Sequence, residues 1–345
     1  MRTPLARTPY STIGRQRQVH ERPSCVTAIP NLTDLRPPPA DMLGDVLAGL
    51  AQRPRKLPSK YFYDHRGSVL FELITRQPEY YVTRTELALL AASADQIADA
   101  VGSQAHVVEY GSGSGKKTRL LLKALKDPVA YTPIEISHSA LATTVRKIER
   151  RSGALELLPV CADFTQPVSL PRPVREADHA LIFFPGSTLG NFDEDEAVSL
   201  LRAIGQTMGS RGGALIGIDL QKARSIVEPA YNDAKGITAR FTLNLLVRLN
   251  RELGSNFDLD GFSHHAIYVE TAGRIETFLI SRWDQEVKVA GHGFHFAEGE
   301  AMQVEYSQKY TDVSFDALAD DAGLRVEHRW NDPDNWFGLR LLRRI

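Results

Sequence analysis

The stretch His106-Val-Val-Glu-Tyr-Gly-Ser-Gly-Ser-Gly-Lys-Lys-Thr118 is a β-branched run that stops in three alternate glycines, Gly111, Gly113 and Gly115, and passes at once into the apolar spacing of residues 118–125. It reads as a strand, a tight turn and a helix N-terminus. Glycine suits the turn because the backbone must take positive φ and approach a ligand where a Cβ would collide. The first helical amides, unpaired and at the positive end of the helix dipole, can hold an anionic or polar group.

The ligand is narrowed by what the loop lacks. A dinucleotide fingerprint wants glycine at its sixth position, where this chain has Lys116, and a phosphate-gripping loop wants four residues between its glycines and then Lys-Ser/Thr. Instead Glu109 stands two residues before Gly111. A carboxylate there would repel a pyrophosphate but suits a ligand with a cationic end, such as the amino group of S-adenosylmethionine. A glycine-rich turn in any α/β protein looks similar, so the loop alone leaves the ligand open.

Working outward, residues 130–136 form a second strand carrying Glu135 at its end, at the distance from the loop where a carboxylate accepts from two ribose hydroxyls. Residues 157–164 form a third, ending in Asp163 and Phe164, an acceptor for an adenine amino group and a ring to stack on it. Residues 180–184 are wholly apolar, as a strand in a sheet covered on both faces requires. They feed a loop containing Gly186 and Asn191, then a helix from residue 195; residues 212–219 are a fifth strand. Loops at the carboxyl ends of parallel strands face the ligand, although an asparagine there also serves simply as a cap or turn.

Upstream, residues 41–52 and 68–74 have helical spacing, and a long helix is expected over residues 86–101. Tyr63, Tyr80 and Tyr81 fall on loops at helix ends, where ligand contacts collect. Downstream the alternation fails: residues 230–250 are helical, and short strands follow at 266–269, 275–281, 285–289 and 293–297. Alternation in Met302-Gln-Val-Glu-Tyr-Ser-Gln-Lys-Tyr310 puts Glu305 and Ser307 on one face, a pattern any half-exposed strand shares. A helix at 313–321 and a strand pair at 324–330 and 336–342 are expected to return to the first sheet. The fold class is therefore α/β: a Rossmann-like, mostly parallel sheet with helices on both faces, plus a smaller α+β unit. The units are placed at 86–221 with 311–345, and at 40–85 with 222–310, after a loose, Arg- and Pro-rich segment 1–39.

The 345 residues carry a formal net charge of −1, which gives no broad field for nucleic acid. No apolar run reaches the roughly 18 residues of a membrane span. Cys25 and Cys161 stand far apart, so neither a disulfide framework nor a cysteine metal cluster is expected, and a cytoplasmic setting is the default. His264, His265, His292 and His295 lack carboxylate or cysteine companions at ligand spacing, and no metal site is assigned.

Several of these segments together resemble the histidine-specific, S-adenosylmethionine-dependent Nα-methyltransferases that make hercynine on the route to ergothioneine. The motifs are Phe62-Tyr-Asp-His-Arg-Gly-Ser68, Thr75-Arg-Gln-Pro-Glu-Tyr-Tyr-Val-Thr-Arg-Thr-Glu86, Glu109-Tyr-Gly-Ser-Gly-Ser-Gly115, Phe184-Pro-Gly-Ser-Thr-Leu-Gly-Asn-Phe192, Tyr231-Asn-Asp-Ala-Lys-Gly236 and Glu305-Tyr-Ser307. The resemblance runs from about Pro39 to the C-terminus and implies a class I methyltransferase domain with a separate substrate-binding domain. It implies that Gly111, Lys117, Glu135, Asp163 and Phe164 hold the donor, with Glu109, Gly113 and Gly186 counted beside them. Asn191 and Tyr231 match positions that grip the substrate carboxylate; Tyr63, the catalytic candidate, orients the amino group; Tyr80, Glu305 and Ser307 read the imidazole. Where the family has methionine on the substrate side, this chain has Thr277. A free amino acid, histidine first, is the expected partner of a monomeric enzyme. The alternatives are N-methylation of another aromatic or modified amino acid such as tryptophan, and a non-catalytic donor-binding protein.

Overall fold

Ala105–Tyr110 is buried along its whole length, and the computed structural model, which describes residues 29–35, 41–113, 115–149 and 155–345, places it at the centre of a nine-stranded sheet. Among the described residues the order across that sheet is Thr33–Asp34, Val160–Cys161, Ala130–Glu135, Ala105–Tyr110, His179–Phe184, Gly213–Asp219, Phe337–Arg344 and Leu324–Asn331, with Glu156–Leu157 also paired to Ala130–Glu135. All pairs are parallel except those made by Phe337–Arg344, which runs antiparallel to both neighbours. The terminal strand pair thus returns to the first sheet as its spacing predicts. Strand order reverses between Ala105–Tyr110 and His179–Phe184, and an open α/β sheet presents its ligand crevice outside the carboxyl ends at such a point. The glycine loop and the turn after Phe184 both emerge there.

Three expectations are corrected. Residues 33–34 are not loose: they add a parallel edge strand to Val160–Cys161, and Ile29 is buried with Leu141 and Val145. The third strand is two short pieces, interrupted around Pro159, whose missing amide cannot join a ladder. The long helix breaks at Ser93 into Val82–Ala92 and Ala94–Val101. Residues 1–28 and 36–40 lie outside the described residues, as does Cys25.

A second, four-stranded sheet has the order Arg55–Lys56, Ala301–Gln308, Arg274–Ser281, Phe262–Val269, and a separate hairpin joins Gln285–Val289 to His292–Phe296. Arg274–Ser281 alternates buried and half-buried residues throughout, the period-2 signature of a sheet with one covered face. The helix Ile237–Leu253 lies against Phe262–Val269 and against the helix His65–Ile74. Asp64 starts the latter helix by accepting from the Gly67 amide at 2.7 Å, and it also receives Asn244 and Arg251 from the former. Asp64→Ala is expected to cost about 1 to 2 kcal/mol, the loss of an N-cap, measured by urea unfolding.

The two sheets are stitched where their ends meet. Tyr310 donates its amide to the Asp219 carbonyl at 2.9 Å, and Gln221 donates to the Tyr310 carbonyl at 2.9 Å. The carboxyl end of the interior strand Gly213–Asp219 is thereby fixed beside the strand that carries Glu305 and Ser307.

Candidate active site

The glycine loop takes the shape its sequence requires. Gly111, Gly113 and Gly115 have φ of +73°, +46° and +68°, which L side chains avoid. A Cβ on Gly111 or Gly113 would meet nothing within 4 Å, so their faces open onto space that a ligand can enter. Glu135 closes one side of this cradle, accepting from the Ser112 amide at 2.9 Å. Asp163 turns the next loop by accepting from the amide and hydroxyl of Thr165, and Phe164 stacks on Tyr110 with centroids 5.2 Å apart. A cradle of alternate glycines, two acids and a ring fit a nucleoside carrying an amino acid tail.

Two residues counted with the donor side do other work. Glu109 is turned into the layer between its strand and the following helix. It is 1% exposed, and its Oε2 accepts from Thr118 Oγ1 at 2.7 Å and from the Tyr131 hydroxyl at 2.5 Å, pinning the start of the helix Lys116–Ala124 to the next strand. The Gly186 amide is likewise engaged, donating to both oxygens of Glu86. Glu86 is fully buried and also pairs with Lys117, a junction for which Gly217 leaves the room: a Cβ there would meet Glu86 Oε1 at 2.5 Å. Glu86 stands in the helix Val82–Ala92, so Lys117 is tied to the helix that follows directly on Tyr80 and Tyr81.

The acceptor residues converge. Tyr63 is 43% exposed, and burial of its hydroxyl, then Glu305 and Tyr231, push that hydroxyl well above the usual phenol range, which sets it near both residues. Tyr80 is raised in the same way by burial, followed by Tyr231, Tyr63, Asp219 and Glu305. Tyr63, Phe71, Phe241 and Tyr80 form one aromatic wall, with centroids 5.5 to 6.2 Å apart. Glu305 lies across the ladder from Thr277. Burial raises its carboxyl to about 7, against the pull of the Lys309 charge and the Thr277 hydroxyl. The Tyr231 hydroxyl and Ser307 Oγ are 2.6 Å apart, and His264 braces the Tyr231 carbonyl at 2.8 Å. Asn191 closes the turn Thr188–Asn191, which packs on the strand bearing Glu305; a Cβ on its neighbour Gly190 would stand 2.7 Å from the Gln308 carbonyl oxygen.

Sequence reasoning missed what lies behind these side chains. Lys309 is fully buried and donates to Tyr231, to Ser307 and to Asp219 Oδ2 at 2.8, 2.6 and 2.9 Å. Asp219 also receives the Tyr81 hydroxyl and Lys222, while its amide donates to Ser187 Oγ at the head of the turn ending in Asn191. The signal existed: one further step of the alternation through Glu305 and Ser307 reaches Lys309.

The buried acids carry a pH signature. Burial lifts Glu109 to about 8 and Glu305 to about 7, so between an unfolded value near 4.5 and those values the folded chain binds more protons than the unfolded one, and stability contributed by these groups falls as pH rises. Glu109→Gln is therefore expected to gain stability relative to the parent as pH climbs from about 4.5 to about 8 and then to level off, in urea titrations from pH 5 to 9.

A largely parallel sheet turning at a loop of alternate glycines, with acids at the next two strand ends and an antiparallel strand near its edge, defines the S-adenosylmethionine-dependent methyltransferase class. Residues 42–344 match the family described as histidine-specific methyltransferase, SAM-dependent. The histidine N-alpha-methyltransferase of Mycolicibacterium smegmatis is 38% identical over 302 residues, covering 86% of this chain and 93% of the relative. That of Mycobacterium tuberculosis is 37% identical over 303 residues, with 86% and 93% covered. The ergothioneine biosynthesis protein 1 of Neurospora crassa is 31% identical over 297 residues, 84% of this chain and 33% of that protein. The chain belongs to the histidine-specific, S-adenosylmethionine-dependent methyltransferase family.

Proposed function

We propose that this protein methylates the α-amino nitrogen of L-histidine three times, giving hercynine, in the ergothioneine pathway. The observation that supports it most is the gathering of Tyr63, Tyr80, Tyr231, Ser307 and Glu305 into one cluster, in a chain whose glycine loop leaves open space at Gly111 and Gly113. In this reading residues 86–221 and 311–345 carry the donor side and residues 40–85 and 222–310 the acceptor side. The protein works as a cytoplasmic monomer on a free amino acid.

S-adenosylmethionine, when bound, supplies an electrophilic methyl group on a sulfonium. Gly111, Gly113, Lys117, Glu135, Asp163 and Phe164 hold it, with Glu109 bracing the loop from beneath and Gly186 held by Glu86 at the rim. Asn191 and Tyr231 take the substrate carboxylate. Glu305 and Ser307 take the imidazole, with Tyr80 beside it and Thr277 behind the carboxylate. Tyr63 stays a neutral phenol at any physiological pH, given the direction of its shift. It therefore orients the free amine as a hydrogen-bonding partner and does not remove its proton, which passes to water. Holding amine and methyl in line can supply roughly 7 to 11 kcal/mol of the barrier. As methyl groups accumulate, the aromatic wall of Tyr63, Phe71, Phe241 and Tyr80 favours the growing quaternary cation by about 0.5 to 2 kcal/mol through its ring faces.

Purified protein incubated with the donor and histidine is expected to yield histidine bearing one, two and then three added methyl groups by mass spectrometry, the last accumulating. Methylated tryptophan with untouched histidine in a mixture of amino acids would overturn the assignment.

A further inference from the structure

We propose that Lys309 is a positioning residue of the substrate site, clamping the oxygens of Tyr231 and Ser307 so that the pair offers one hydrogen-bond donor to the bound amino acid. The inference rests on the reading of the cleft given above. An ammonium has three donors and no acceptor, and all three of Lys309 are spent: on Tyr231 at 2.8 Å, Ser307 at 2.6 Å and Asp219 at 2.9 Å. Both hydroxyl oxygens are therefore acceptors toward Lys309. The pair owns two hydroxyl hydrogens, and one is consumed in its mutual bond of 2.6 Å. A single O–H remains, and only an acceptor on the ligand, a carboxylate oxygen or an unprotonated ring nitrogen, can use it.

The rest of the surroundings keep Lys309 in that role. It is 0% exposed, so water does not compete for its hydrogens. Asp219, which neutralises it, is held by Tyr81 and Lys222 from the other side and ends a buried interior strand of the donor-binding sheet. Through Ser187 the same residue fixes the turn that ends in Asn191. The Lys309 charge also opposes the desolvation of Glu305. One buried cation thus sets the polarity of the acceptor side from behind, touching no ligand itself.

The test is a calorimetric comparison of histidine affinity with S-adenosylhomocysteine present to prevent turnover. Lys309→Met is expected to raise the histidine Kd at least tenfold while the S-adenosylmethionine Kd stays within about twofold of the parent. In a background already carrying Tyr231→Phe and Ser307→Ala, adding Lys309→Met is expected to change the histidine Kd less than threefold, because its targets are gone. An unchanged histidine Kd in Lys309→Met, or equal losses of both ligands, would overturn the proposal. So would a full tenfold loss in the doubly substituted background. If Lys309→Met does not fold, the charge-neutral Asp219→Asn/Lys309→Met variant is put through the same comparison. A parent protein that binds no histidine at all would instead overturn the proposed function, which keeps the two failures distinct.

Discussion

Asp219→Ala is expected to lower the unfolding free energy by about 3 to 5 kcal/mol, the cost of stranding buried charge when one partner of a desolvated pair is removed. Asp219 and Lys309 are both 0% exposed, and Lys222 is only 5% exposed in its side chain. Without the carboxylate, two ammonium groups face each other across a site with no anion in direct contact. Burial works against the charge of Asp219, but Lys309 and then Lys222 outweigh it and hold the carboxyl below its usual range. The corresponding stability is present above pH 4 and is lost as pH falls through that depressed value. Guanidinium unfolding of the variant at pH 7 reads the effect. A change under 1 kcal/mol would mean that water or a rearranged side chain replaces the carboxylate, and that the junction between the sheets does not depend on it.

Glu305→Ala is expected to weaken histidine binding by on the order of 2 kcal/mol or more, about thirtyfold, with S-adenosylmethionine binding nearly intact. A buried acceptor lost from a site built to receive an N–H leaves the ligand's donor without a partner, and sites of that kind discriminate strongly. The position makes the assignment selective: Glu305 sits opposite Thr277 within the second sheet, whereas Gly111 and Glu135 belong to the first. Calorimetric titration of each ligand separates the two effects. Unchanged histidine affinity would remove Glu305 from the acceptor set.

The elements around the donor loop were legible because their sequence signals are local. Residues 106–118 combine a β-branched run, positive-φ glycines and helical spacing, and no tertiary contact is needed to read them. The helix after Asn191 starts at Glu194, one residue from its expected start, behind a capping box of Asp193 with Glu196 that is local too. What escaped depends on neighbours remote in the chain. Thr33–Asp34 is too short to show a period, and only its pairing with Val160–Cys161 makes it a strand. Ser93 carries no strong helix-breaking chemistry, so the break there is not written in its identity. Lys309 gives no local signal because lysine is rarely buried, and its environment is assembled from Asp219, Tyr231 and Ser307, partners as far as 90 residues away in the sequence. An acid beside a glycine loop suggests a ligand contact, while the contacts of Glu109 with Thr118 and Tyr131 depend on a helix and a strand that its own sequence does not specify.

The central claim is that a methyl group leaves the donor held over the glycine loop for the α-nitrogen of histidine held by the acceptor cleft. The most direct measurement is nuclear magnetic resonance of the product formed from histidine and donor labelled with carbon-13 at the sulfonium methyl. Three equivalent labelled methyl groups on the α-nitrogen and none on the ring are expected. Label on an imidazole nitrogen, or histidine recovered without label, would contradict that claim.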